Sequence, residues 1–428
     1  MDFLPVAAMF ALAALNVPVA LAIAMAALVF FLLADGLPIQ IYVQKLAQAT
    51  DSFPLLAVPF FIFAGSIMNH AGITRRLLSL AEALVGHMIG GIAQANVVLA
   101  TLMGGLSASA NADAAMQSKM LGPEMIRRGY SPAFAAAITA CSAVITPIIP
   151  PGIGLIIYGY LADVSVGRLF IGGIVPGLLL CASLMVAVHF VSRRHGYTAV
   201  RERMVPLRQV GRAFLDALGA LSIAAFILVG IRYGIFTPTE AGAMTVVYAT
   251  LIGMLWHREL KWSAFPAIIL ETVLATAAVM LIICAASAFG FYMSWERLPA
   301  RGAQFLIELT QDPLLLLLLI NLMLLGAGML IEGTAALILL TPLLVPAVTK
   351  LGIDPLHFGL VMIVNLTIGG VTPPVGTMMY TTCAILRVRL ERYTREGWPF
   401  IVALLAVLAL ITAFPQLVLW LPNALMPQ

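Results

Sequence analysis

The sequence predicts an all-α polytopic membrane protein made of two inverted repeats, each with a re-entrant hairpin and a broken transmembrane helix. Three observations predict it. Hydrophobic residues make up 62% of the 428-residue chain and charged residues 10%, against roughly 25% charge in soluble domains. Segments this rich in Leu, Ala, Ile and Gly satisfy their backbones in lipid as helices. Second, Leu121–Pro151 and Leu344–Pro374 align without a gap at an offset of 223 residues. The identities are Leu121/Leu344, Pro123/Pro346, Gly129/Gly352, Pro132/Pro355, Ile145/Ile368, Pro150/Pro373 and Pro151/Pro374. With 25 prolines in the chain, chance yields on the order of 0.1 Pro/Pro coincidences in such a window, so four of them mark a duplication. Third, each copy holds an apolar stretch interrupted near its middle by small and polar residues.

Taken in order, apolar runs place spans at Phe3–Leu33, Phe53–Met68, Pro132–Leu161, Leu169–Val191, Phe214–Ile231, Ala241–Trp256, Phe265–Met293, His357–Thr382 and Pro399–Leu421. The first run lacks a basic leader and exceeds a signal-peptide core, so it is expected as a mature helix. Met88–Ile126 and Pro313–Val348 are broken by Ser107–Asp113 and by Glu332-Gly-Thr334, as re-entrant hairpins would be. The offset carries Asn111 onto Thr334. The expected division is a first repeat over 1–192 with its hairpin near 88–127, a basic cytoplasmic linker over 193–212, and a second repeat over 213–428 with its hairpin near 313–349. With that linker inside, sixteen of the 23 basic residues fall on the cytoplasmic side and six outside, which agrees with the positive-inside rule. The first hairpin then opens to the cytoplasm and the second to the opposite face. Thr74–Val85 and Arg301–Leu309 read as amphipathic helices along the two membrane surfaces. Thr237-Pro-Thr-Glu240 reads as a capping box.

Proline removes a helical donor and clashes with the preceding turn, so the pairs at 150–151 and 373–374 should break helices in mid-bilayer. Matching interrupted helices in two halves of a membrane protein point to a transporter's binding site. A break exposes carbonyl oxygens on one side and a positive helix N-terminus on the other. In the first half the candidate ligands are Ser107, Ser109, Asn111 and Asp113 at the tip, and Thr146 with the carbonyls before Pro150. In the second they are Gly333, Thr334, Asn365, Gly369, Gly370, Thr372 and Gly376. Such oxygen sites suit sodium, with proton coupling through Asp113 or Glu332 as the alternative. Asp113 and Glu332 could equally cap the second helix of each hairpin. Cys141, Cys181, Cys284 and Cys383 lie in apolar helices, and no cysteine or histidine has metal-ligand spacing.

Gly104-Gly-Leu-Ser-Ala-Ser-Ala-Asn-Ala-Asp113, Pro123–Tyr130, Ile149-Pro-Pro151, Tyr158-Gly159, Val164–Phe170, Pro176-Gly177, Thr237–Ala241 and Thr372-Pro-Pro-Val-Gly376 resemble the large membrane subunit of TRAP transporters, the DctM type. The similarity runs over essentially the whole chain. It implies a sodium-driven importer of an organic acid in the bacterial inner membrane, not an enzyme, working as an elevator with transport and scaffold domains. It also implies a small four-helix membrane subunit on a separate chain and a periplasmic substrate-binding protein; lipid is the remaining partner, and nucleic acid is not one. By motif, the family's sodium sites fall on Ser107, Ser109 and Asn111 with Thr146 and Pro150, and on Gly333 and Thr334 with Gly369, Thr372 and Gly376. Ser107, Asn111, Asp113, Thr334, Asn365 and Thr372 would face the substrate. Ala108 and Gly152 stand where many members carry glycine and serine.

A binding-protein-independent carboxylate transporter of the same fold is the runner-up. An intramembrane hydrolase around Asp113 or Ser107 lacks a second acid or base on a facing helix, and paired hairpins in inverted repeats argue against a passive channel.

Overall fold

The computed structural model describes residues 3–15, 17–34, 36–104, 109–201 and 203–426, and every regular element among them is helical. The first half comprises α1 (Leu4–Ala14), α2 (Val19–Leu33), α3 (Ile39–Gln48), α4 (Ala57–His70), α5 (Ile73–Val85), α6 (Gly91–Leu102), α7 (Ala110–Arg127), α8 (Pro132–Ala143), α9 (Ile153–Leu161) and α10 (Val166–His195). The second comprises α11 (Leu207–Arg232), α12 (Pro238–Leu251), α13 (Phe265–Trp295), α14 (Leu298–Leu309), α15 (Pro313–Leu330), α16 (Gly333–Lys350), α17 (Pro355–Gly369), α18 (Thr377–Leu386), α19 (Leu390–Ala413) and α20 (Pro415–Leu425). Among the described residues, seven helical segments are long and apolar enough to cross a membrane, including α10, α11, α15, α16 and α19. The chain is an all-α membrane protein.

Local chemistry starts these helices where expected. Proline opens α8, α12, α15 and α17 in the first turn, where its missing N–H costs nothing, and Ser131, Thr237, Asp312 and Asp354 cap them by accepting backbone bonds. The capping box is complete: Glu240 accepts from Thr237 N at 2.8 Å, and Thr237 Oγ1 accepts from Glu240 N at 3.3 Å.

Two expectations change. The run Phe3–Leu33 is two helices, because Pro18, extended at φ −51° and ψ 134°, cannot continue α1. Pro399–Leu421 is likewise divided: Phe414, at φ −123° and ψ 80° and kept out of the helical region by the following Pro415, separates α19 from α20. The 193–212 linker is helical only at its two ends, where α10 runs to His195 and α11 begins at Leu207. Its remainder is strapped down, with Val200 N donating to Gly86 O at 2.9 Å and Tyr197 OH accepting from Ser131 N at 3.0 Å.

The packing repeats with the sequence. Carried forward 223 residues, α7 lands on 333–350, the bounds of α16. The pair α6 and α7 sits on α8, and the pair α15 and α16 sits on α17. Helix α7 also packs on α18, and α16 on α9. Helices α5 and α14 bridge these groups: α5 lies against α6 and α11, α14 against α16 and α13.

Candidate functional site

The site is built from two tips and two breaks. At the first tip, Ser107 lies outside the described residues. Ser109 is the N-cap of α7, accepting from Ala112 N at 3.4 Å. At the second tip, Glu332 caps α16 by accepting from Ala335 N at 3.0 Å. The offset carries Ser109 onto Glu332 and Ala112 onto Ala335, so the two caps occupy matched positions. The capping role therefore belongs to Glu332 in the second half and to Ser109, not Asp113, in the first. Asp113 lies in the first turn of α7 and is 2% exposed.

Each tip reaches an element of the second half. Asn111 Oδ1 accepts from Thr381 Oγ1 on α18 at 2.7 Å. Thr334 turns back to its own cap, donating to Glu332 Oε1 at 2.9 Å, while Gly333 lies against Leu366 of α17.

The breaks run over 144–152 and 370–376, and both proline pairs carry a cis peptide bond. Pro150 is buried. In the first break Thr146 is fully buried, and its hydroxyl has no partner among the described residues. In the second, Thr372 Oγ1 donates to Ile368 O at 2.8 Å, which commits its proton and leaves its lone pairs for a ligand. Gly370 O accepts from Met378 N at 2.9 Å, and a Cβ on Gly376 would stand 2.6 Å from that same oxygen. Gly369 meets Gly328 of α15 so closely that a Cβ would lie 2.6 Å from the Gly328 backbone. The N-termini of α9 and α18 carry no side-chain cap, which leaves backbone donors and the positive helix ends at the breaks.

Asn365 is fully buried on α17. Its Nδ2 donates to Asn321 O at 2.9 Å and to Asn321 Oδ1 at 2.8 Å, and its own Oδ1 has no partner among the described residues. Asn321 Nδ2 in turn donates to Thr412 Oγ1 at 2.8 Å. Sequence reasoning missed Asn321, Thr412 and Thr381. The lone Asn321 amide inside the leucine run of α15 was the available signal, since a polar side chain in a lipid-exposed setting is retained for a partner. Among the described residues no three His, Cys, Asp or Glu side chains gather as a metal cluster. Apart from the Asp113 and Glu332 carboxyl groups, the oxygens are hydroxyls, amides and carbonyls, a set matched to a hard monovalent cation beside donors for a carboxylate.

A family model described as "Tripartite ATP-independent periplasmic transporter, DctM component" matches residues 6–417. The sialic acid TRAP transporter large permease protein SiaM of Vibrio cholerae is 39% identical over 408 residues, covering 95% of each chain. The C4-dicarboxylate TRAP transporter large permease protein DctM of Pseudomonas aeruginosa is 38% identical over 379 residues, covering 89% of this chain and 88% of its own. The crystal structure of the YdaH transporter of Alcanivorax borkumensis matches with a TM-score of 0.65 at 16% identity, covering 90% of each chain, a likeness of fold. The chain belongs to the DctM component family of the tripartite ATP-independent periplasmic transporters, a family of permeases and not of enzymes.

Proposed function

We propose that this protein imports an organic acid across the bacterial inner membrane by sodium symport. Its substrate is a carboxylate, such as a C4-dicarboxylate or a sugar acid, because the relatives named for sialic acid and C4-dicarboxylates share that group. A periplasmic binding protein delivers it, and a small four-helix subunit on another chain completes the membrane complex, in keeping with the tripartite, periplasmic description of the family. The two halves, 1–192 and 213–428, are inverted repeats; α6–α7 and α15–α16 are re-entrant hairpins, and α8–α9 and α17–α18 are the broken helices.

The observation that carries this reading is the exchange of partners between halves. Helix α7 packs on α18 and its counterpart α16 on α9, as a two-fold relation between repeats requires. That relation brings both tips and both breaks toward one midplane, the position of transporter binding sites. One cation sits among Ser107, Ser109, Asn111, Thr146 and carbonyls preceding Pro150, the other among Gly333, Thr334, Gly369, Thr372 and Gly376. Asn111, Asp113, Thr334, Asn365 and Thr372 face the substrate between them. Hairpins and broken helices then move as one body past α4, α11, α12 and α13, with α5 and α14 as arms.

The test is uptake into proteoliposomes with and without the cognate binding protein. Transport that needs the binding protein is the expected result. Equal uptake without it would favour a carboxylate transporter of the same fold that works alone.

A further inference from the structure

The buried side of α7 carries a polar group of residues, Asp113, Gln117 and Ser118, ahead of the apolar Leu121 and Met125, where its repeat counterpart is apolar except for Thr341. Asp113, Gln117 and Ser118 are 2%, 0% and 0% exposed, and the offset carries them onto Ala336, Leu340 and Thr341. Thr341 spends its hydroxyl on Leu337 O at 2.6 Å. In contrast, both ends of the Gln117 amide and the Ser118 hydroxyl have no hydrogen-bond partner among the described residues. A primary amide offers two donors and an acceptor oxygen. Leaving all of them unmet in a dry interior is costly, and buried polar groups in this condition hold ordered water. The same half carries further buried oxygens without partners, Gln94 Oε1 and Asn96 Oδ1 on α6 and Thr146 Oγ1 at the break, and both α6 and α7 pack on α8. At 1.5 Å per residue, Gln117 lies roughly 10 Å along α7 from the tip and about 15 Å from Arg127 at the far end.

We propose that Gln117 and Ser118 hold ordered water in a passage along α7, through which the cation at the first tip exchanges with the cytoplasm. Gln117 is a positioning residue in this passage and not a ligand of the bound cation. The passage belongs to the first half alone, since at the matched positions in α16 Leu340 has no hydrogen-bonding side chain and Thr341 spends its proton on its own helix. The proposal rests on the first tip being a cation site and on the first hairpin opening to the cytoplasm.

The experiment places Ser118→Cys, and Leu340→Cys as its repeat-matched control, in a background with Cys141, Cys181, Cys284 and Cys383 replaced by alanine. A small membrane-impermeant methanethiosulfonate is applied to inside-out and right-side-out vesicles holding the assembled transporter. Ser118→Cys is expected to react from the cytoplasmic face at least tenfold faster than Leu340→Cys does from either face. Gln117→Leu, which copies the second repeat, is expected to lower the uptake rate at least tenfold while the half-saturating sodium concentration moves less than twofold. Ser118→Cys that is inert, or reactive only from the opposite face, overturns the passage, as does full-rate uptake by Gln117→Leu. If wild-type uptake still follows sodium in those vesicles, the cation site survives that failure; uptake indifferent to sodium overturns both. The labelling arm needs no Gln117 variant, so a misfolded Gln117→Leu leaves the test intact.

Discussion

Thr381 donates to Asn111 across the two halves of the chain, at 2.7 Å. The counterpart of Asn111 at the other tip, Thr334, bonds only its neighbour Glu332 through its side chain among the described residues. Removing the Thr381 hydroxyl takes one bond of about 1 kcal/mol from the first tip. Thr381→Val is therefore expected to lower sodium-driven uptake about fivefold, checked by comparing initial rates with the melting temperature of the purified complex. Thr372→Val keeps the shape of the side chain and removes lone pairs that remain after its proton is committed to Ile368 O. Uptake should fall roughly tenfold, the size of one charge-assisted contact, with a much smaller change in melting temperature. Sodium dependence identical to wild type in that variant would leave only the backbone as a ligand at the second break. Thr146 and Asn365 share a different property: each is buried with an oxygen that no described protein group satisfies. In a folded protein such atoms mark where water or a ligand completes the structure.

Among elements, α15 and α17 approach closely where Gly328 and Gly369 bring two backbones together. Gly369→Ala inserts a methyl group 2.6 Å from the Gly328 backbone, so the second hairpin must lift off α17 at a cost of about 1–3 kcal/mol. Lost uptake together with a lower melting temperature is the expected outcome. Helix α5, the arm of the proposed movement, behaves differently. It begins at Gly72, whose φ of +68° suits glycine, and a Cβ there would collide with the Glu259 carboxylate. Arg76 Nη2 binds Glu259 Oε1 at 2.6 Å, with the two side chains 23% and 37% exposed. A pair this open contributes only about 0–1 kcal/mol to stability. Glu259→Gln should therefore barely move the melting temperature while changing the transport rate, because it ties the start of the arm to the loop between α12 and α13. Much at this scale was readable from the sequence: Thr237–Glu240 announced its helix by a capping box, and the proline pairs announced the breaks. The splits at Pro18 and Pro415 were not, because uniform apolar runs hide a turn that satisfies itself with neighbouring backbone. Partners such as Thr381 for Asn111, or Asn321 for Asn365, were out of reach because they are created by packing between distant segments.

For the whole molecule, the exchange of α7 onto α18 and α16 onto α9 ties the tips and breaks of both halves into one packed unit. Helix α12 packs instead on α4, and α5 and α14 each touch one hairpin and one outer helix. If the hairpins travel together, cysteine pairs between α7 and α12, in a background without the four native thiols, should crosslink in one state and arrest uptake. Pairs between α7 and α18 should crosslink in every state and leave uptake intact. Equal crosslinking of the α7–α12 pairs under all conditions, with uptake unimpaired, would contradict movement as one body. On the function proposed above, hydroxyl, amide and carbonyl oxygens at two matched tips and breaks couple a sodium gradient to import of a carboxylate. Uptake into proteoliposomes under an imposed sodium gradient, an imposed proton gradient, or both, tests it most directly. The account predicts accumulation driven by sodium and unchanged by the proton gradient; accumulation that follows protons and ignores sodium would contradict it and shift the coupling to Asp113 and Glu332.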